Sequence, residues 1–296
     1  MSSVEMNSVE IFTEYRPLLF TIAYEILGSA ADAEDVLQDS YLRWSEVDGT
    51  GVENPRAFLA RIVTRQALNQ LRSAQRRREE YVGTWLPEPI RTEPDASEDV
   101  VLAESVTMAM LLVLETLGPD ERAVFVLHEV FGFSHREVAE SVGKSETAVR
   151  QIASRARAHV QARRKRFEPP TAAAQEVVGR FLGAAATGDI QTLMDLLSPD
   201  VVQLSDGGGK VSAARRPVRG RDHVARFIAG IVRGGPADVR IEPATFNNIP
   251  AVTIHVGDTV DTVAMIEVVD GLVSGIYLVR NPDKLTRVHQ ARALLR

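Results

Sequence analysis

Thr147, Arg150, Gln151, Ser154, Arg155 and Arg157 fall on one side of a helical repeat inside the stretch Ser134–Arg166. Guanidinium, amide and hydroxyl donors at that spacing reach phosphate oxygens and base edges in a major groove. From Ser141 to Arg166 eight basic residues stand against one acid, Glu146. The chemistry implied is recognition of a duplex polyanion rather than bond making. The plainer alternative is a solvated polar face.

A second basic set lies upstream. Residues 54–78 hold seven arginines and no acid, and Arg61, Arg65, Asn69, Arg72 and Arg76 step three or four residues at a time. A ladder of charge with interspersed amides suits single-stranded or melted DNA, where cations track the backbone and amides meet bases. A third set is acidic. Asp32, Glu34, Asp35, Gln38 and Asp39 are left on the solvent side of a helix whose Val36, Leu37, Tyr41 and Trp44 turn inward. Spacing alone makes these acids no more than complements to a helix N-terminus.

The elements that position these groups follow from local signals. Ser134-x-x-Glu137 is a capping box, Gly143 makes a corner, and Ser145 caps the second helix. Val149, Ile152, Ala153, Ala156 and Val160 repeat at helical spacing and form its inner face, as a helix-turn-helix requires. Apolar periodicity predicts a first helix over 8–27, with Pro17 as a start or kink. A second runs over 32–44, capped by Ser29 or Asp32, and a third opens at Asn54-Pro55 with Phe58, Leu59, Ile62 and Leu68 inward. Gly49 and Gly51 mark the intervening loop.

Residues 81–99 read as a linker broken by Pro87, Pro89 and Pro94. Its Tyr81, Trp85, Leu86 and Ile90 are apolar enough to dock on another domain. Ser97 is expected to cap one helix through Leu117, and Gly118-Pro119 to start another through His128; Arg163–Arg166 and Pro169-Pro170 close this helical part.

Beyond Thr171 the pattern becomes helices over 172–187, 189–197 and 220–233. Strands are expected at Val201–Leu204, Val239–Ile241, Ala251–Val256, Thr262–Val269 and Leu272–Val279. Asp270-Gly271 is a hairpin turn signal, so an α+β domain with a curved antiparallel sheet is expected.

Composition sets the limits. The 296 residues imply two or three compact units, and 45% hydrophobic with 25% charged residues is ordinary for a globular chain. No apolar span or signal peptide is evident, which predicts a cytoplasmic protein without membrane contact. Zero cysteines exclude disulfides and thiolate metal sites, and neither a metal nor a cofactor is expected. The net charge of −6 is unevenly spread: two basic and eleven acidic residues lie in 1–53, and fourteen against thirteen in 169–296. Two basic patches and one acidic surface imply two nucleic-acid contacts and a separate partner.

Taken in order, these features resemble a bacterial sigma factor of the extracytoplasmic-function type. Asp32-Ala33-Glu34-Asp35-Val36-Leu37-Gln38-Asp39 resembles the region 2 segment that such factors lay on the β′ clamp helices of core RNA polymerase. Asn54-Pro55-Arg56-Ala57-Phe58-Leu59 through Arg72 is similar to the segment that opens and reads the promoter −10 element. Gly118-Pro119-Asp120-Glu121-Arg122 with the helix-turn-helix resembles region 4, the reader of the −35 element, with Arg150, Gln151 and Arg155 the leading contacts by position. Trp85-Leu86-Pro87-Glu88-Pro89, Asp206-Gly207-Gly208-Gly209-Lys210 and Asn281-Pro282-Asp283-Lys284-Leu285 resemble motifs of the subgroup with a fused SnoaL-like domain, the SigJ type.

The resemblance implies two all-α sigma domains and a cone-shaped α+β domain: 1–80 as region 2, 81–98 as linker, 99–168 as region 4, 171–296 as the SnoaL-like part. It implies a non-enzyme that directs core polymerase to promoters and is regulated in cis, with no separate zinc-containing anti-sigma factor required. Trp85, Leu86, Pro87, Asp206, Gly207, Lys210, Asn281, Asp283 and Lys284 are the expected interdomain regulatory residues.

The SnoaL-like fold also hosts cyclases and isomerases. Asp206, His223, Asn247, Asp261 and Tyr277 are candidate polar groups, but none forms an acid–base pair by spacing. A pocket for a small apolar ligand is a further expectation. Two rival functions stay open at this point. One is a one-component helix-turn-helix regulator with a ligand-sensing C-terminal domain; the other is a cyclase or isomerase fused to DNA-binding helices.

Overall fold

The computed structural model describes residues 8–47, 52–92, 99–163, 172–236 and 238–296, the side chains of 74–79 excepted. Gly49, Gly51, Pro94, the Ser97 cap, Arg164–Arg166, Pro169-Pro170 and the Arg76 side chain lie outside the described residues. The chain forms two compact units. One joins Met1–Glu79, Met110–Arg164 and Ala293–Arg296; the other joins Glu80–Ala109 and Lys165–Arg292. The stretch read as a linker therefore belongs to the sheet-bearing unit.

In the first unit α1 (Ser8–Leu27), α2 (Ala30–Ser45) and α3 (Pro55–Glu79) pack around Leu19, Ile22, Ile26, Leu37, Trp44, Leu59 and Leu71. Pro17 stands inside α1 rather than at its start. Ser29 is the cap of α2, its hydroxyl accepting from the Asp32 amide at 3.1 Å. Phe58 and Ile62 are only half-buried.

The single helix expected to end at Leu117 is two: α4 (Val100–Ser105), capped by Asp99, and α5 (Met108–Leu114). Side chains explain the break. The Ser105 and Thr107 hydroxyls donate back to the Leu102 and Glu104 carbonyls, and Asn247 donates to the Val106 carbonyl at 2.9 Å. α6 (Pro119–Phe125) continues into a π turn over Val126–Val130. α7 (His135–Val142) and α8 (Glu146–Arg163) are the helix-turn-helix. Gly143 is left-handed between them at φ 69°, and Val149, Ile152, Ala153, Ala156 and Val160 are all buried.

In the second unit α9 (Ala172–Thr187), α10 (Ile190–Leu196) and α11 (Arg221–Gly234) cover one face of a six-stranded sheet ordered β2-β1-β6-β5-β4-β3. The strands are β1 (Leu197–Asp206), β2 (Val218–Arg219), β3 (Val239–Phe246), β4 (Ile249–Val256), β5 (Thr259–Val269) and β6 (Leu272–Val279). Val178, Phe181, Leu193, Val201, Ile266 and Ile276 fill the space between helices and sheet. The sheet is mixed, not antiparallel throughout as expected: β1 and β6 run parallel. Hairpins join β3 to β6, whereas the route from β1 to β6 passes through α11 and four further strands, so nothing local sets their relative direction. The short edge strand β2 has too few residues to show alternation.

A Cβ at Gly143 meets nothing within 4 Å, so its substitution tests the backbone alone. Gly143→Ala is expected to lower stability by about 1 kcal/mol, read as a reduced thermal midpoint. An unchanged midpoint would show that the turn does not need the left-handed geometry.

Candidate nucleic-acid and partner interfaces

On α2, burial of Val36, Leu37 and Trp44 leaves Asp35, Gln38 and Asp39 exposed along one stripe. The other two acids of the set are engaged: Asp32 Oδ1 accepts from Gln70 Nε2 at 2.8 Å, and Glu34 pairs with Arg16. The acidic face is thus narrower than spacing suggested. Leu42 extends the same stripe one turn further and is exposed.

On α8 all six expected donors are exposed: Thr147, Arg150, Gln151, Ser154, Arg155 and Arg157. The apolar plug behind them, Val149 with Ile152 and Ala156, fixes which way that face points. Three of the arginines have acid neighbours in the same unit. Arg150 pairs with Glu146 one turn back, Arg155 lies 3.9 Å from Glu121, and Arg157 holds Glu129 through two hydrogen bonds of 2.6 and 3.0 Å.

The α3 ladder has partners within the unit, although Arg65 and Arg72 stay exposed. The Arg61 guanidinium is 3.6 Å from Glu140, and Arg65 donates to the Glu140 carbonyl at 2.8 Å, near the C-terminal end of α7. Arg72 and Lys144 both bind Asp120, at 3.1 and 2.8 Å. Burial works against ionisation of Asp120, yet the hydrogen bonds and charges of Lys144 and Arg72 hold its carboxyl below the usual range. Asn69 remains exposed. The partners of Arg65 and Arg72 lie 75 and 48 residues away, so no local signal could have found them. Arg56 completes the contact, donating to the Phe131 carbonyl at 3.0 Å with its guanidinium 4.2 Å from the Phe133 ring centre. Arg122 is buried, donating to the Glu25 carbonyl at 2.7 Å and pairing with Glu115.

In the second unit, the three short motifs converge on one strand of chain. Asp206 is fully buried at the end of β1. Its carboxylate accepts from the Tyr81 hydroxyl at 2.6 Å, the Leu86 amide at 2.9 Å, the Gly208 amide at 3.0 Å and Lys284 Nζ at 2.8 Å. Lys284 also donates to the Leu86 carbonyl and lies 4.3 Å from the Trp85 ring centre. Asn281 Nδ2 donates to the Tyr81 hydroxyl at 2.7 Å, and Lys210 binds Asp283 at 2.7 Å. Residues 86–90, including Leu86 and Pro87, are buried.

The glycines of the Asp206–Lys210 loop have a steric reason. A Cβ at Gly207 would meet the Val211 carbonyl at 2.5 Å, and one at Gly208 would meet the Asn281 side chain at 2.4 Å. Further along, Asn247 at φ 51° exchanges hydrogen bonds with both backbone groups of Ile90, and Arg91 bridges Phe246. Residues 81–92 are therefore held as an arm along one end of the sheet.

The other polar candidates do not gather. His223 is exposed on α11. Burial opposes ionisation of Asp261, but hydrogen bonds from Arg280 and Thr262 hold its carboxyl below the usual range. Asp206 and Asn247 are occupied by the arm. Tyr277 donates to Glu267 at 3.1 Å, a partner the sequence reading missed; burial, then the Glu267 charge, raises the phenol. Glu267 is registered with Gly275, two residues from Tyr277, while Ile266 and Ile276 face the helices. The pair therefore lies on the sheet face away from the helix-lined core.

Residues 11–77 match the family Sigma-70 region 2, and residues 107–160 match Sigma-70, region 4. The chain is 43% identical over 297 residues to the ECF RNA polymerase sigma factor SigJ of Mycobacterium tuberculosis, covering 94% of this chain and 93% of that one. It is 28% identical over 282 residues to the probable ECF RNA polymerase sigma factor SigI of the same species, covering 92% of each. Among solved structures, that of Mycobacterium tuberculosis SigJ superposes with a TM-score of 0.76 at 40% identity, over 94% of this chain and 98% of that one. With its acidic helix, arginine ladder and helix-turn-helix in this order, the chain belongs to the extracytoplasmic-function RNA polymerase sigma factors.

Proposed function

We propose that α2 docks on the β′ clamp helices of core polymerase through Asp35, Gln38 and Asp39, that the α3 ladder engages the −10 element, and that α8 reads the −35 element. The observation that carries this reading is the α8 face, where every expected donor is exposed over a fully buried apolar plug. Arg150 and Gln151, near the start of α8, are placed for base edges; Arg157, held by Glu129, suits a phosphate. A factor of this kind works where the polymerase does, in the cytoplasm, and leaves the chemistry to the polymerase. Among the described residues no helix is long and apolar enough to cross a membrane.

Regulation in cis follows from the captured arm. The chain from Glu80 to Ala109 joins the two helical halves and belongs to the sheet unit. Left free, about 30 residues would span up to ~100 Å at roughly 3.3–3.6 Å each. The −10 and −35 elements lie roughly 25 base pairs apart, ~85 Å at about 3.4 Å per step. Holding residues 81–92 on the sheet, and the Val106 carbonyl on Asn247, removes most of that reach until the arm is released. The C-terminal domain then acts on promoter choice by fixing the length of the tether, without a separate anti-sigma protein.

Two outcomes are expected. In transcription reconstituted with core polymerase, Arg150→Ala with Arg155→Ala lowers start-up at a cognate promoter at least about tenfold, at ~1–3 kcal/mol per specific contact, while Asp35→Lys with Gln38→Ala abolishes core binding in a folded chain. Full activity of both variants would refute the assignment. Asp206→Ala removes the carboxylate paired with the mostly buried Lys284 ammonium and costs the sheet unit about 3–5 kcal/mol. Limited proteolysis should then cut within 81–92 and promoter output should change; an uncut arm with unaltered output would rule out control through the tether.

A further inference from the structure

The α3 ladder and the helix-turn-helix sit side by side in the first unit, joined by charge. Arg61 and Arg65 hold Glu140 of α7, and Arg72 shares Asp120 with Lys144, the residue after the Gly143 corner. One carboxylate thus holds a cation of the proposed −10 surface and one from the turn of the proposed −35 reader. Promoter elements ~85 Å apart at about 3.4 Å per step cannot be met by surfaces that share a carboxylate. The Gly118–Arg122 stretch supplies Asp120 and the buried Arg122, so it also ties α6 to α1 and α3.

We propose that Glu140 and Asp120 form an internal latch that occupies the α3 arginines in the free chain and must be displaced by DNA. This rests on the reading of the ladder as a DNA surface. The latch is suited to opening because its pairs are partly exposed: the Glu140 side chain retains 53% and the Asp120 side chain 31% of its accessible area. Such pairs are individually weak and screened by salt. A phosphate backbone offers the same guanidiniums a denser array of acceptors, with release of counterions besides. The acids therefore set a threshold: a stray anion does not open the contact, while a run of phosphates does.

The test uses the full chain without polymerase and a fluorescent single-stranded oligonucleotide, with affinity read by anisotropy at low salt. Glu140→Gln and Asp120→Asn are each expected to tighten binding about two- to fivefold, the range of one exposed pair. Glu176→Gln, which makes the same change in net charge at an exposed position of α9, is the control. If Glu140→Gln and Asp120→Asn bind no tighter than Glu176→Gln, the latch is overturned. Adding Arg61→Ala and Arg65→Ala to Glu140→Gln should abolish the gain. If it does not, the ladder is not the DNA surface and the reading beneath the proposal fails, a result distinct from loss of the latch alone.

Discussion

Cations meant for a polyanion have to be kept somewhere before the polyanion arrives. In this chain the answer is pairing with its own carboxylates: Glu140 and Asp120 for α3, and Glu146, Glu121 and Glu129 for α8. That constraint reconciles the two helices proposed to face DNA with a net charge of −6. It also makes recognition an exchange of partners, whose driving force is the difference between two ionic contacts. Weak exposed pairs suit this, since a deeply buried pair would cost more to separate than one phosphate returns.

The sheet unit uses the opposite kind of electrostatics. Asp206 is fully buried and collects four donors, one of them the Lys284 ammonium, which is itself mostly buried. Removing any one donor leaves the others converging on an undercompensated charge, so the arrangement behaves as a unit. It fastens a proline-rich arm that has no secondary structure of its own to stabilise it. In the proposed reading, a strong buried pin on the tether and weak exposed pairs on the proposed DNA surfaces divide the work: one sets geometry, the other sets readiness.

What could be read from residues alone was whatever local rules decide. The Ser134 capping box, the Gly143 corner and the inner face from Val149 to Val160 depend on neighbours within a turn or two, and each stands where spacing put it. The Asp270-Gly271 turn is likewise present, with Asp270 at φ 51° and Gly271 at φ 73°. The three short motifs around Trp85, Asp206 and Asn281 pointed to one another only through family resemblance; the contacts that join them span 73 to 200 residues. The acids facing the ladder, the parallel pairing of β1 with β6, the Glu267 partner of Tyr277 and the break at Val106 all depend on distant chain. Periodicity carries no information about such partners. The face carrying Arg61, Arg65 and Arg72 looked bare because its partners were supplied from elsewhere.

Because the chain has no cysteine, two introduced thiols can carry spin labels without competition. Ser73→Cys on α3 and Gln161→Cys on α8 are exposed positions outside the proposed contacts. Distances between them, measured by pulsed electron resonance in the free chain and then in the polymerase–promoter complex, bear directly on whether one chain grips DNA at two separated places. A single short distance in the free chain, lengthening by tens of ångströms in the complex as elements ~85 Å apart require, is the predicted result. The same short distance in both states would contradict the account.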